Sequence, residues 1–468
     1  MASRGHLLLA LLVLAATAAA ASGGRHQARV RRPARPRLEL VPAAPDASLA
    51  DRARDDVHRH AYIRSQLASR RGRHAAEVGA SAFAMPLSSG AYTGTGQYFV
   101  RFRVGTPAQP FVLVADTGSD LTWVKCRGAG AAAGTGAGSP ARVFRTTASK
   151  SWAPIACSSD TCTSYVPFSL ANCSSPASLC AYDYRYKDGS AARGVVGTDS
   201  ATIALSSGRG GGDSSGRRAK LQGIVLGCTA TYDGQSFQSS DGVLSLGNSN
   251  ISFASRAAAR FGGRFSYCLV DHLAPRNATS YLTFGPGPED PAASSSSAAQ
   301  TPLLLDRRMS PFYAVTVDAV CVAGEALDIP ADVWDVDRNG GAILDSGTSL
   351  TILATPAYRA VVAALSKHLA GLPRVTMDPF EYCYNWTAAA GGAPEIPKLE
   401  LRFAGSARLE PPAKSYVIDA APGVKCIGVQ EGSWPGVSVI GNILQQEHLW
   451  EFDLRDRWLR FKHTRCAL

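Results

Sequence analysis

The sequence contains two stretches, FVLVADTGS at residues 111–119 and AILDSGT at residues 342–348, that follow one pattern. In each, an apolar run leads directly into aspartate, a hydroxyl residue and glycine, and another hydroxyl residue follows. One such triplet arises often by chance, whereas two of them, each at the end of an apolar run, are hard to dismiss. The apolar runs predict strands, so Asp116 and Asp345 are expected at two strand ends.

Paired aspartates of this kind can activate water. Two carboxylates held face to face repel each other, so they share one proton and titrate as a pair. One then acts as a base toward water while the other protonates a carbonyl oxygen, without a covalent enzyme intermediate. A glycine after each aspartate, Gly118 and Gly347, permits a sharp turn and a close approach of the two loops. We expect the hydroxyls of Ser119 and Thr348 to hold the outer carboxylate oxygens.

The chain from about Tyr98 to its C-terminus resembles the pepsin-like aspartic proteinases, in the plant branch of nepenthesin-like and chloroplast-nucleoid-DNA-binding-protein-like sequences. The motifs that carry the resemblance keep their order and spacing: VADTGSDLTW (114–123), YKDGS (186–190), DGVL (241–244), FSYCL (265–269), ILDSGT (343–348) and VIGN (439–442). The resemblance implies an all-β, bilobal fold with the active-site cleft between two β-rich lobes. It also implies that Asp116 and Asp345 are the catalytic dyad. The residues expected to support them are Thr117, Gly118, Ser119, Ser346, Gly347 and Thr348.

A hairpin over the cleft is predicted from the residues themselves. Tyrosines alternate along 182–186, an Asp-Gly turn signal follows, and residues 194–197 can return as the second strand. The alternative is an ordinary hairpin at the edge of a sheet, and the presence of the two triplets favours the hairpin over the cleft instead. The resemblance implies that Tyr186, with Gly189 and Ser190, forms the substrate-binding flap and that Trp123 is the hydrogen-bonding partner of the flap tyrosine.

Two positions depart from the family pattern. Lys187 stands beside the flap tyrosine where relatives have a small residue, which bears on flap mobility and subsite preference. Ser245 stands where the family has glycine, at a close approach to the first catalytic loop. Serine is small enough to be tolerated there.

The length, the composition and the many short β-branched runs interrupted by Gly and Ser favour a β-rich chain. Helices are expected near 251–259 and 356–369. A short basic start and an apolar block predict a secretory signal peptide, with a plastid transit peptide as the alternative. We predict five segments, namely a signal peptide at 1–22, a prosegment at 23–85, an N-terminal lobe at 92–285 with Asp116, a linker at 286–300 and a C-terminal lobe at 301–468 with Asp345.

The net charge of +11 is concentrated near the N-terminus, because residues 1–80 contain 14 Arg, no Lys and 6 acidic residues. This segment lacks interleaved aromatic residues and any nucleic-acid module, so we expect no nucleic-acid partner. A removable prosegment fits better, with a helix at 51–67 and processing between about Arg73 and Tyr92. Its arginines would screen an acidic cleft at neutral pH and dissociate from it when the carboxylates become protonated. The prosegment would thus act as an intramolecular inhibitor.

All eleven cysteines lie beyond residue 125, which favours an oxidising compartment. The odd count leaves a thiol unpaired, and we expect it to be Cys321, buried in a strand. With Cys321 unpaired, each predicted lobe contains an odd number of the remaining cysteines, so one disulfide should join the two lobes. Four sequons suit a secreted surface, and the glycosylation candidates are Asn172, Asn250, Asn277 and Asn385.

The sequence therefore predicts an aspartic endopeptidase that acts on polypeptide substrates at acidic pH, with a preference for large apolar residues at the scissile bond. The alternative is a catalytically weak relative that acts as an inhibitor or binding module. We expect a monomer with no cofactor, no metal and no membrane span. The expected location is the apoplast or vacuole, with the chloroplast as alternative. A GDSSG match at 212–216 is discounted as a serine-hydrolase elbow, because no apolar strand leads into it.

Overall fold

The computed structural model describes the chain in twelve ranges, which are 35–42, 48–71, 97–127, 142–167, 175, 178–185, 191–206, 218–233, 240–274, 280–285, 298–388 and 394–466. The predicted signal peptide, the predicted processing region and most of the predicted linker lie outside them. The lobe boundaries proposed above remain predictions.

Three α-helices are present in the described ranges: α1 (Leu49–Arg71), α2 (Phe253–Arg260) and α3 (Thr355–His368). Each coincides with a helix expected from the sequence, which confirms those three predictions. Helix α2 begins where the Ser252 side chain accepts a hydrogen bond from the Ser255 amide. Helix α3 has a proline in its first turn and two basic residues, Lys367 and His368, in its last turn, where they complement the helix dipole.

Strands make up most of the remaining structure. In the first part of the chain they are β1 (Arg35–Pro42), β2 (Tyr98–Val104), β3 (Gln109–Asp116), β4 (Thr122–Arg127), β5 (Phe144–Arg145), β6 (Ala153–Pro154), β7 (Ala181–Arg185), β8 (Ala191–Ser206), β9 (Arg218–Asp233), β10 (Gly242–Ser245), β11 (Arg264–Cys268) and β12 (Ser280–Phe284).

In the second part they are β13 (Ala299–Pro302), β14 (Tyr313–Val315), β15 (Val317–Val322), β16 (Glu325–Ala326), β17 (Ala342–Asp345), β18 (Thr351–Ala354), β19 (Arg374–Met377), β20 (Phe380–Asn385), β21 (Leu399–Phe403), β22 (Ala407–Leu409), β23 (Val417–Ala421), β24 (Val424–Ile427), β25 (Val429–Gly432), β26 (Ser438–Gly441), β27 (His448–Asp453) and β28 (Trp458–His463). The β-rich class predicted from the sequence is confirmed. Among the described helices, none combines the length and apolar character that crossing a bilayer requires.

The strands form one large sheet and three smaller ones. The large sheet runs in the order β13-β28-β27-β11-β12-β1-β2-β3-β10-β4-β9-β8-β6, with β5 beside β4 and β7 beside β8. The smaller sheets are β14-β17-β26-β18-β25, β16-β15-β21-β22 and β19-β20-β24-β23. Strand β1 of the predicted prosegment lies between β12 and β2, so this part of the N-terminal segment is built into the large sheet.

The same arrangement of four strands occurs in both parts of the chain. Strand β3 pairs in parallel with β10, which also pairs with β4, and β4 pairs in parallel with β9. Likewise β17 pairs in parallel with β26, which also pairs with β18, and β18 pairs in parallel with β25. Because Asp116 is the last residue of β3 and Asp345 the last residue of β17, the two aspartates lie at equivalent positions in the two halves. The repeated sequence pattern therefore corresponds to a repeated local fold.

Candidate active site

The two aspartates are deeply buried at the ends of their strands. The relative exposure of Asp116 is 1% and that of Asp345 is 0%. Strands β3 and β17 carry apolar side chains because both lie inside sheets, which explains the apolar runs that precede the triplets. Burial without partners would be costly for two carboxylates, so their hydrogen bonds decide how the site is held.

Each carboxylate is held by its own loop in the same way. The Gly118 amide donates to Asp116 Oδ1 at 2.9 Å, and the Ser119 hydroxyl donates to Asp116 Oδ2. In the other half the Gly347 amide donates to Asp345 Oδ1 at 3.0 Å, and the Thr348 hydroxyl donates to Asp345 Oδ2 at 2.6 Å. The sequence-based expectation that Ser119 and Thr348 hold carboxylate oxygens is confirmed.

The two loops also bind each other directly through Thr117 and Ser346. The Thr117 amide donates to the Ser346 hydroxyl at 3.1 Å, and the Ser346 amide donates to the Thr117 hydroxyl at 2.9 Å. The Ser346 hydroxyl in turn donates to the carbonyl oxygen of Ala115 at 3.0 Å. These reciprocal bonds fix the distance between the loops, and no local pattern in the sequence predicted them.

The glycines of the triplets stand at the closest approach of the two loops. A methyl group placed on Gly118 would lie 2.2 Å from Arg59 and 3.1 Å from Asp345 Oδ1. One placed on Gly347 would lie 2.7 Å from Asp116 Oδ1. The distances of 2.2 and 2.7 Å are shorter than nonbonded contacts permit, and 3.1 Å is a tight contact, so the expectation that a side chain would obstruct this approach is confirmed.

A single guanidinium, that of Arg59 in α1, binds both aspartates. Its Nε and Nη2 donate to Asp345 Oδ2 and Oδ1 at 2.7 and 2.8 Å. Its Nη1 and Nη2 donate to Asp116 Oδ2 and Oδ1 at 3.1 and 2.6 Å. The guanidinium therefore makes a two-pronged contact with each carboxylate, which is the strongest geometry available to an arginine. Arg59 is fully buried by this contact.

Helix α1 is anchored next to this contact by polar and apolar groups. One turn before Arg59, the Asp56 carboxylate accepts hydrogen bonds from the amides of Ser349, at 2.6 Å, and Leu350. One turn after it, Ile63 is buried, and Leu67 lies a further turn on, both in an apolar cluster with Trp123 and other residues of the two halves. Helix α1 is therefore held on both sides of Arg59, by the Ser349 and Leu350 amides before it and by this apolar cluster after it.

The hairpin of the predicted flap is present. Strands β7 and β8 pair in antiparallel fashion from Ala181 with Val195 to Arg185 with Ala191. The residues at its tip, Tyr186, Gly189 and Ser190, lie outside the described residues, and so does Lys187. The predicted contact between Trp123 and the flap tyrosine therefore stays a prediction. Trp123 itself is buried in β4.

A buried tyrosine lies near the second aspartate. Burial, reinforced by the negative charge of Asp345, raises the pKa of Tyr267 well above its usual value. Tyr267 therefore remains a neutral hydrogen-bond donor, and its hydroxyl donates to Gln445 Oε1. It contributes polarity without charge to this side of the site.

Four disulfides are described: Cys126–Cys228, Cys162–Cys180, Cys268–Cys466 and Cys383–Cys426. Cys157 is also disulfide-bonded. Within the described ranges Cys321 is the free cysteine, and it is buried, as expected. Because Cys268 lies in β11 and Cys466 near the C-terminus, one bridge joins the two predicted lobes, which confirms the inference from the odd cysteine count.

Two of the four glycosylation candidates, Asn172 and Asn277, lie outside the described residues. Asn250 is exposed, and Asn385 is half-buried with its side-chain oxygen accepting from the amide and hydroxyl of Thr387. Their use stays a prediction.

The β-rich fold, the duplicated strand arrangement and the two facing aspartates define the class of pepsin-like aspartic proteases. The family models described as "Xylanase inhibitor N-terminal" and "Xylanase inhibitor C-terminal" match residues 98–286 and 312–463. The chain is 33% identical to Aspartyl protease family protein 2 of Arabidopsis thaliana over 440 residues, covering 90% of this chain and 82% of that protein. It therefore belongs to the plant aspartic protease family.

Three further similarities extend this result. The chain is 28% identical over 381 residues to aspartic proteinase nepenthesin-2 of Nepenthes gracilis, covering 80% of this chain and 79% of that protein. Among solved structures, conglutin gamma from lupine seeds is similar with a TM-score of 0.60 and 18% identity, covering 79% of this chain and 92% of that chain. Basic 7S globulin from soybean is similar with a TM-score of 0.57 and 19% identity, covering 79% and 92%. At these identities the solved structures support the fold alone.

Proposed function

We propose that the protein is an aspartic endopeptidase that hydrolyses peptide bonds with a water molecule activated between Asp116 and Asp345. The observation that carries the proposal is that the two carboxylates, supplied by distant parts of the chain, face one guanidinium at hydrogen-bond distance. Two carboxylates that share one small donor can share a water molecule once that donor has left. Membership of the plant aspartic protease family supports the same chemistry.

In the proposed reaction the ionised carboxylate takes a proton from the water, whose oxygen forms a bond to the scissile carbonyl carbon. The protonated carboxyl group gives its proton to the carbonyl oxygen, which yields a tetrahedral diol. The C–N bond then breaks, the amine takes up a proton, and the two peptide products leave. Because the reaction needs one proton on the pair, we expect activity at acidic pH.

The surroundings of the pair support such a role. The donors from Gly118, Ser119, Gly347 and Thr348 are fixed before substrate arrives, so they hold the carboxylates in place without rearrangement during the reaction. The apolar cluster that receives side chains of α1 offers subsites suited to large apolar residues of an extended peptide.

We also propose that the segment carrying β1 and α1 is an intramolecular inhibitor. Arg59 engages the atoms that would bind water, so the precursor cannot place a substrate there. Release requires that this buried ion pair be broken, and loss of carboxylate charge in acid weakens it.

The disulfides indicate an oxidising compartment, as expected for a protein of the secretory pathway. We propose the apoplast or vacuole as the place of action, with the chloroplast as the alternative.

A binding module is the second candidate. The description of the matching family models as xylanase inhibitor halves favours it, since that name denotes proteins that bind an enzyme. The presence of both aspartates, with their complete sets of donors, weighs against it.

The deciding experiment measures cleavage of peptide substrates by the secreted, processed protein at about pH 4 and pH 7. Asp116→Asn and Asp345→Asn should each lower kcat at pH 4 by more than about a hundredfold, because each removes an acid or base group. Asp419→Asn, at an exposed position, is the matched control. Equal cleavage by the wild type and both variants would reveal a contaminant. A folded, processed wild type without activity would instead favour the binding module.

A further inference from the structure

His60 is buried where α1 meets the C-terminal part of the chain. Its relative exposure is 7%, and its Nε2 lies 3.4 Å from the carbonyl oxygen of Val437. The imidazole also packs against the backbone of Gly432, where an added methyl group would lie 2.8 Å from His60 Cε1. The ring is thus enclosed between α1, the end of β25 and the loop that leads into β26.

The charged groups described around this ring offer no favourable partner for a proton on it. On α1, Arg59 precedes it directly and Arg64 lies one turn later, and Arg64 acts against a positive charge on the ring. Asp56, one turn earlier, is committed to the amides of Ser349 and Leu350.

On the opposite side, Glu431 is the only titratable residue of 429–441, and it lies at the surface 3.8 Å from Arg359. Within the part of the chain that the structure describes, His60 has the Val437 carbonyl as its hydrogen-bond partner and contacts no carboxylate.

We propose that His60 is an acid sensor that releases α1 from the carboxylate pair. This inference rests on the proposed inhibitory role of α1 and adds a device on the inhibitory segment itself, separate from the carboxylates. The buried site accepts the neutral imidazole and opposes the imidazolium, so protonation drives α1 out of the cleft. Arg59, the next residue of the helix, is withdrawn with it.

The direction of the pH dependence follows from burial. Burial, with Arg64 adding to it, lowers the pKa of His60 to about 4, whereas a released, solvated ring has its usual pKa near 6.5. Above about pH 6.5 the neutral His60 ring makes its full contribution to docking of α1. That contribution is lost as the pH falls toward 4. Between pH 7 and pH 4 the docking equilibrium should weaken by about 100-fold.

Pulsed hydrogen exchange of the full-length precursor tests the proposal, with the protection of residues 49–71 followed from pH 7 to pH 4. Mass spectrometry of the same samples shows whether the precursor is still intact. The wild type should lose protection inside the window, and His60→Gln, which cannot be protonated, should lose it at least one pH unit lower. His368→Gln, at an exposed histidine of α3, should behave as the wild type.

A second variant guards against a packing defect in His60→Gln. Arg64→Glu, at an exposed position, replaces a repelling charge with an attracting one, so it should also move the midpoint to lower pH. It should have no such effect when combined with His60→Gln. Unchanged midpoints in both single variants would overturn the proposal, and if His60→Gln fails to dock even at pH 7, an unchanged midpoint in Arg64→Glu alone overturns it.

The outcomes also separate this inference from the proposed function. If midpoints do not move but the processed protein cleaves peptides in acid, only the sensor is wrong. If residues 49–71 lack protection in the wild type at pH 7, the inhibitory role is wrong. If release depends on His60 but no cleavage follows, the sensor stands and the protease does not.

Discussion

Ser245 occupies in the first half of the molecule the position that Gly441 occupies in the second. Ser245 is paired in parallel register with Asp116, and Gly441 with Asp345. The Ser245 amide donates to the Thr122 hydroxyl at 3.1 Å, as the Gly441 amide does to Thr351 at 3.2 Å. A side chain on Gly441 would lie 2.5 Å from Leu350, so the second half does not admit the serine that the first half contains.

The Ser245 hydroxyl supports the first prediction. It accepts a hydrogen bond from the Phe253 amide at 3.0 Å at the start of α2. Ser245→Ala leaves that buried amide without its acceptor, so the free energy of unfolding should fall by about 1 to 3 kcal/mol. Denaturant unfolding of the processed protein measures this, with Ser249→Ala as the control. Equal stability of Ser245→Ala and the wild type would contradict it.

Arg59 supports a prediction about the precursor at neutral pH. Arg59→Ala removes one partner of a buried ion pair, so docking of α1 should weaken by about 3 to 5 kcal/mol. A statine-type transition-state analogue should then bind the full-length precursor at pH 7, where the wild type binds it poorly. Arg54→Ala, which removes a surface arginine 3.6 Å from Asp378, is the matched control. Identical binding by the Arg59 and Arg54 variants would show that Arg59 does not guard the site.

The bonds between Thr117 and Ser346 predict a catalytic defect. Thr117→Val removes the acceptor of the Ser346 amide, a buried group, which should lower stability by about 1 to 3 kcal/mol. Because the loops then lose their mutual alignment, kcat should fall by more than about tenfold while KM changes little. Thr117→Ser keeps the hydroxyl and should retain most of kcat. Wild-type kcat in Thr117→Val would mean that other contacts align the loops.

The bridge between Cys268 and Cys466 spans 198 residues of sequence. Replacing both cysteines by alanine should lower the free energy of unfolding by about 2 to 5 kcal/mol, because the unfolded chain regains the freedom that the bridge removes. Cys321→Ala leaves every described disulfide in place, so it should change stability by less than the double variant. Equal losses in the two proteins would indicate that the bridge contributes little beyond packing.

Much of the site was predictable because its determinants are local. The two triplets follow strands whose apolar character reflects burial, and the glycines and hydroxyls that hold each carboxylate lie within three residues of it. Local patterns of this kind survive in the sequence, which is why Ser119 and Thr348 were assigned correctly. The free cysteine, Cys321, followed from parity and strand alternation.

Other features depend on contacts between distant segments and leave no local signal. Arg59 is one of 14 arginines in the first 80 residues, and nothing adjacent to it distinguishes it as the one that binds Asp116 and Asp345. The reciprocal bonds of Thr117 and Ser346 cross 229 positions. Strand β1 contains two prolines, so its propensity argues against a place inside a sheet, and its partners in β12 and β2 override that preference.

The position of Arg59 in the chain has a consequence for synthesis. Translation produces residue 59 before residues 116 and 345, so the cation is already present when the second of the two acids emerges. The newborn polypeptide can therefore assemble its halves around a ready-made counterion, without forcing two like charges together in a dry interior. On the proposed removal of the segment that carries Arg59, each carboxylate keeps the amide and hydroxyl donors of its own loop, so the arrangement assembled around the cation is retained without it.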